Sequence, residues 1–363
     1  MRIKFLSKAI VLGLLIGASA QVQAQAVQSI PTSNPAAPAA GPGRGRGMPG
    51  PPATPADIAE MATLKDFPAY GLGLPDGNYS VGPEYAPAPE EIVKDGVPHG
   101  KLFQFVMNST DSKFYPGVTA PFQRKVAVFV PAQYVAGTLA PFIVSCDQYG
   151  LSANTGRLAS VLDTMIADHR LPAMCAVMIA NGGTERSMEY DTVSPKYAEF
   201  VEAEVLPRAE KEANVTLTKD PDGRMTYGGS SGGICAFTMA WFHPELYHRV
   251  LSYSGTFVNL QHSAEVPHGG WEYHENLIPN NPAKPLRVWL EAAENDNGAK
   301  TASSAYRNWV IANLHTAQTL AAKGYHYQLV YAKGAGHTDQ KAINQTLPQA
   351  LEFVWRDYPV AGK

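Results

Sequence analysis

The sequence predicts an α/β fold with a mostly parallel central sheet and helices on both faces. Three observations carry this. Short apolar runs alternate with longer segments whose apolar residues recur at helical spacing, the pattern of parallel strands joined by crossover helices. A Gly/Ser-rich turn separates a strand-like run from a wholly apolar one in Met225-Thr-Tyr-Gly-Gly-Ser-Ser-Gly-Gly-Ile234. Two leading strand-like runs have no helix between them, which predicts an antiparallel edge at the N-terminal side of the sheet.

The 363 residues are 45% hydrophobic with a formal charge of −3, enough for one large domain or two small ones. Near-neutral charge argues against nucleic acid as the main partner. Residues 1–26 read as a signal peptide: Arg2, Lys4 and Lys8 form a basic start, Ala9 to Gly17 is apolar but too short to span a bilayer, and Ala18-Ser-Ala20 and Ala24-Gln-Ala26 are cleavage candidates. No later run reaches transmembrane length, so the expected fate is export, to the periplasm or the medium. Residues 27–98 are expected to be a Pro/Ala/Gly-rich linker and an irregular extension, with a short helix over Asp57 to Leu64. The folded domain is expected over 99–363.

Within that domain Lys101 to Met107 and Arg124 to Pro131 are the two leading strands, and Pro141 to Cys146 a buried third. Asn154 to His169 has Leu158, Val161, Leu162 and Met165 on one helical face. Pro172 to Ala180 is a buried strand and Pro195 to Glu212 a helix. Strands follow within Tyr247 to Ser254, over Leu286 to Leu290 and over His326 to Tyr331. Ser303 to Lys323 is a helix stopped by Gly324, and Leu347, Ala350, Leu351, Val354 and Trp355 mark a final one. Residues 256–285 read as a long irregular loop.

The Gly/Ser turn has the context of a G-x-S-x-G nucleophile elbow, in which a serine on a sharp turn needs neighbours without bulk. Two registers fit: Gly228-x-Ser230-x-Gly232 and Gly229-x-Ser231-x-Gly233. The first is preferred, because the second puts Ile234 three residues past the serine. A phosphate-binding loop is disfavoured, since no Lys follows the glycines. A serine hydroxyl needs a base, and the base a partner that fixes its tautomer. Asp296, after the strand that ends Leu290-Glu-Ala-Ala-Glu, is the acid candidate, with Glu291 and Glu294 as rivals. His337, in Lys333-Gly-Ala-Gly-His-Thr338, is the base candidate. Serine, acid, histidine is the chain order of α/β-hydrolases. The oxyanion donors expected are the backbone N–H of Ser231 and that of Gln148 or Tyr149.

His262, His268 and His274 stand at an even spacing that matches none of the short metal-ligand patterns, so no metal is expected. Their loop reads instead as a substrate-side cap, with Trp271 and Tyr273 offering apolar surface. Of the three cysteines, Cys146 and Cys175 end neighbouring strands in this reading. That leaves a disulfide open beside buried free thiols.

Gly228-Gly-Ser-Ser-Gly-Gly-Ile-Cys-Ala-Phe237, His243-Pro-Glu-Leu-Tyr247 and Val250-Leu-Ser-Tyr-Ser-Gly255 together resemble the enterochelin esterase and esterase D group of α/β-hydrolases. Met107 to Ser112, Arg124 to Pro131, Glu294-Asn-Asp296 and the C-terminal Gly336-His337 are similar as well, so the likeness runs from about His99 to Tyr358. It implies an α/β-hydrolase fold and a serine carboxylic-ester hydrolase that needs no cofactor, and it favours Ser230. Members act on siderophore esters, on acetyl or feruloyl esters of plant polysaccharides and on small thioesters. The chain departs from the group at Cys146-Asp-Gln-Tyr149, where a His-Gly pattern is more common, and at Ala293, where relatives often carry Gly. The expected partner is a small-molecule or carbohydrate-linked ester. A non-catalytic binding protein and a serine peptidase on the same fold are the alternatives.

Overall fold

A computed structural model describes residues 50–147 and 153–360. Nine strands form the main sheet: β1 (Gly77–Val81), β2 (Lys101–Asn108), β3 (Gln123–Val130), β4 (Phe142–Cys146), β5 (Cys175–Ile179), β6 (Arg224–Gly229), β7 (Arg249–Tyr253), β8 (Arg287–Asn295) and β9 (His326–Gly336), in the spatial order β1-β9-β8-β7-β6-β4-β5-β3-β2. Neighbours are parallel except where β3 meets β2 and β5. The expected antiparallel N-terminal edge is therefore present. β4, β5 and β7 are buried along their whole length, and β4 and β5 accordingly read as near-continuous apolar runs rather than alternating ones.

The longer helices are α1 (Pro55–Thr63), α2 (Ala153–Ala167), α3 (residues 196–213, with a π-helical turn at Val201–Val205), α4 (Ser231–Phe242), α5 (Trp309–Ala322) and α6 (Gln340–Val354). One core cluster joins α3, α4 and α5 to one face of the sheet; a second joins α2 and α6 to the other. α4 is buried on nearly every side, which its lack of a polar face demands. α5 starts six residues later than its apolar spacing suggested, because Asn308 caps it by accepting the Ile311 N–H at 3.1 Å.

The structure departs from the sequence expectation in three places. The stretch before residue 99 holds, besides the expected short helix (α1, with a Thr54–Asp57 capping box), a strand that was not expected: β1 pairs in parallel with β9. The segment also braces the loop after β8, where Ala53 N–H donates to Lys300 C=O at 2.9 Å, and α5, whose His315 lies 2.8 Å from Glu60. The 256–285 segment is not wholly irregular either, since Gly269–Trp271, Tyr273–Leu277 and Ile278–Asn280 are short helical pieces. Finally, Cys146, Cys175 and Cys235 are all free and buried. Parallel pairing sets Cys146 opposite Ile179 and Cys175 opposite Phe142, so the first two thiols sit at opposite ends of their strands.

Candidate active site

The site is built at the carboxyl ends of the parallel strands, where open α/β sheets bind ligands. β6 ends at Gly229 and α4 begins at Ser231, so Ser230 alone makes the turn. Its backbone sits at φ 57° and ψ −126°, a sparsely populated region that costs about 1–3 kcal/mol for a non-glycine residue. The surroundings hold it there. Ser230 N–H donates to the Tyr253 carbonyl at 2.8 Å, and the Ser230 carbonyl accepts from Gly233 N–H at 2.9 Å and Thr256 N–H at 3.1 Å. The glycines are needed for close approach: a Cβ on Gly228 would lie 2.2 Å from the Gly232 carbonyl oxygen, and one on Gly233 2.5 Å from Ser252 Oγ.

Ser230 Oγ lies 2.7 Å from His337 Nε2, and His337 Nδ1 lies 2.5 Å from Asp296 Oδ1. The Asp296 side chain is fully buried, and Oδ1 also accepts the Asn297 N–H at 2.7 Å. An acid on one ring nitrogen fixes the proton there and leaves the other free to accept from the serine. His337 stands edge-on to Trp309 at 6.1 Å between ring centres.

The rival carboxylates have other partners. Glu294 pairs with Lys65 at 2.5 Å and accepts the Gly334 N–H at 2.7 Å, so it anchors the base of the histidine loop. The Lys65 contact holds its carboxyl below the usual range. Glu291 is buried and accepts both the N–H and the Oγ–H of Ser254, at 3.0 and 3.1 Å. Burial first, and then the charge of Asp296, push its carboxyl up to about 8.

Ser231 is buried with its hydroxyl committed: Oγ accepts from Arg186 Nη1 at 2.9 Å and donates to Asp191 Oδ2 at 3.2 Å. Its N–H belongs to the first turn of α4, where backbone donors lack intrahelical acceptors. The other oxyanion candidates, Gln148 and Tyr149, lie outside the described residues. Just before them, Asp147 Oδ2 accepts from Arg186 Nε at 2.7 Å and Oδ1 from Asn181 Nδ2 at 2.5 Å. A cavity of about 310 Å³ opens over Ser230 and His337, with Asp147, Arg157, Arg186, Tyr227, Ile343 and Leu347 in its walls. Arg157 lies near the start of α2 and Arg186 opens a short helix, Arg186–Tyr190, and neither segment carries a motif that would mark an arginine as a site residue.

Trp271 and Tyr273 do not line this cavity. Tyr273 is fully buried, packs edge-on to Phe237 and Trp241 at 5.0 and 5.9 Å, and bonds Thr238 Oγ1 at 2.8 Å. Trp271 is 3% exposed and donates its indole N–H to Glu275 at 2.7 Å. Both are core residues of the short helical pieces, not substrate surface. His262, His268 and His274 do not converge. His268 instead meets Glu272 and Glu275, with ligand-capable atoms within 4.8 Å of one another. That group is accounted for by hydrogen bonds along its own turn, with Glu272 accepting from His268 N–H at 3.1 Å and from Asn276 at 2.5 Å.

Solved structures share this fold. The enterobactin esterase of Shigella flexneri, solved in the presence of enterobactin, aligns over 71% of this chain and 60% of its own length, with a TM-score of 0.52 and 20% identity. A ferulic acid esterase aligns over 71% of this chain and 99% of its own, with a TM-score of 0.52 and 19% identity. The ferulic acid esterase of the anaerobic fungus Anaeromyces mucronatus aligns over 75% and 96%, with a TM-score of 0.52 and 13% identity. These likenesses are of fold, and this chain spans about 60% of the enterobactin esterase's length. No curated protein matches the chain in sequence. The model of the Putative esterase family matches residues 119–354, which hold the elbow, the acid loop and the histidine loop, and the chain belongs to that family.

Proposed function

We propose that the protein is an exported serine carboxylic-ester hydrolase working through Ser230, His337 and Asp296. The observation that carries this reading is the continuous hydrogen-bonded line Ser230 Oγ–His337 Nε2 at 2.7 Å and His337 Nδ1–Asp296 Oδ1 at 2.5 Å, open to the cavity. Ser230 attacks the ester carbonyl as His337 takes its proton. Asp296 holds the ring in the right tautomer and stabilises the imidazolium. The N–H of Ser231 and that of Gln148 or Tyr149 receive the oxyanion; losing one such donor costs about 3–4 kcal/mol in the barrier. His337 returns the proton to the departing alcohol, then activates water to release the acyl group.

The substrate class is a carbohydrate-linked ester, of the feruloyl or acetyl kind, or an ester of the siderophore kind. Support comes from family membership and from relatives of the same fold solved with enterobactin and with ferulic acid. Export rests on the basic start, apolar run and small-residue sites of residues 1–26. Among the described residues no helix is long and apolar enough to cross a membrane. The test is labelling by a small fluorophosphonate with peptide mapping. Modification of Ser230 in the folded protein, blocked by Ser230→Ala and followed by loss of ester hydrolysis, is the expected result; labelling elsewhere or none would overturn the reading. Fractionation of the producing cells with N-terminal sequencing tests export, and protein confined to the cytoplasm with an N-terminus at Met1 would refute it.

A further inference from the structure

The histidine loop has a second buried attachment besides Asp296. Thr338, the residue after His337, donates its backbone N–H to Ser254 Oγ at 3.0 Å. Ser254 Oγ–H donates to Glu291 Oε2 at 3.1 Å, and Ser254 N–H donates to the same oxygen at 3.0 Å. Ser254 and Glu291 are 0% and 1% exposed, so no water competes for these bonds. Both backbones joined by the relay are in the left-handed region, Ser254 at φ 47° and Thr338 at φ 49°. Neither residue is glycine, so each conformation must be held from outside.

We propose that Glu291 is a positioning residue for the hydrolysis inferred above: through Ser254 it fixes the backbone that carries His337, and so sets the distance from the imidazole to Ser230. The inference rests on the triad reading for its consequence, though not for its geometry. Three elements meet in the relay. Glu291 comes from β8, which also carries the acid loop; Ser254 follows β7; Thr338 precedes α6. Ser254 also follows Tyr253, whose carbonyl accepts the Ser230 N–H. One buried carboxyl thus holds the base in register with both the nucleophile's turn and the acid's strand. Glutamine at 291 keeps a carbonyl acceptor of the same reach. Alanine at 291, or alanine at 254, removes the relay and leaves the three triad residues themselves unsubstituted.

The experiment compares wild type, Glu291→Gln, Glu291→Ala and Ser254→Ala, each checked for a native near-ultraviolet spectrum. Two readouts are taken: the rate of labelling by a small fluorophosphonate, separated into binding and chemistry, and the low-field proton resonance of His337 Nδ1. Glu291→Ala and Ser254→Ala are expected to slow the chemical step by on the order of tenfold to a hundredfold with binding unchanged, as small misplacements of a catalytic group do. Both should broaden or shift the resonance, while Glu291→Gln stays close to wild type in both readouts. If Glu291→Ala does not fold, Ser254→Ala alone decides. A wild-type resonance and wild-type chemistry in Ser254→Ala would overturn the proposal. If wild-type protein is not labelled at all, the esterase reading fails, and the resonance still tests whether the relay holds His337.

Discussion

Substitution of Tyr273 separates a core residue from a substrate wall. The ring is fully buried against Phe237, Trp241 and Phe257, with centroids at 5.0, 5.9 and 6.0 Å, and the hydroxyl bonds Thr238 Oγ1 at 2.8 Å. Tyr273→Phe keeps the ring and removes one buried hydrogen bond, leaving a threonine hydroxyl that is 3% exposed to find another partner. The cost should be about 1 kcal/mol. Tyr273→Ala also removes the ring from three aromatic contacts, and large-to-small changes of this kind cost about 3–5 kcal/mol. Urea unfolding followed by tryptophan fluorescence measures both, beside ester hydrolysis at a urea concentration where each variant is folded. The expected pattern is graded destabilisation with kcat and KM unchanged per folded molecule. A several-fold rise in KM with no change in the urea midpoint would refute the burial argument and return Tyr273 to the substrate surface.

Asp296→Asn should keep the fold and lower turnover by on the order of a thousandfold or more, because an amide that donates to Nδ1 imposes the wrong tautomer; steady-state kinetics beside a thermal melt checks this. Glu291 gives a stability signature. Its carboxyl is held up to about 8 by burial and by Asp296, against an ordinary value of 4.5. Between those values the folded state keeps a proton that the unfolded chain has released, so its contribution falls as pH rises through that window and levels off above it. Wild-type melting temperature should therefore drop more steeply from pH 5 to pH 8 than that of Glu291→Gln; parallel curves would show that Glu291 ionises normally. The three thiols are buried, with burial pushing Cys175 up to about 12. A thiol reagent should leave native protein unmodified and find three groups after unfolding, whereas fewer than three after unfolding would indicate a bridge.

Much of the fold was legible because buried parallel strands and amphipathic helices carry distinct periods. The 224–242 stretch was clearest: its glycines, its serine and its apolar tail meet one steric demand, and the structure gives distances to match. β1 leaves little signal in the sequence because Gly77-Asn-Tyr-Ser-Val81 is short, sits among prolines and pairs with a single strand at the sheet edge. Trp271 and Tyr273 were misplaced for a different reason. An aromatic residue in a loop looks the same in sequence whether its ring faces core or cavity, and only the tertiary packing decides. Neighbour size and the G-x-S-x-G-G resemblance separate Ser230 from Ser231 in the sequence; the structure adds Arg186 and Asp191 as partners of the Ser231 side chain. The Asp147–Arg186 pair and the Glu291–Ser254–Thr338 relay had no local signal, since their members lie tens of residues apart and each residue type is ordinary where it stands.

The most direct measurement is hydrolysis of a short p-nitrophenyl ester by wild type, Ser230→Ala and Ser231→Ala side by side. Ser230→Ala should lose turnover by several orders of magnitude, as removal of a serine nucleophile does. Ser231→Ala keeps its backbone N–H and loses only the hydroxyl held by Arg186 and Asp191, so it should retain measurable turnover. Full activity in Ser230→Ala, or loss confined to Ser231→Ala, would contradict the assignment of the nucleophile and the chemistry built on it.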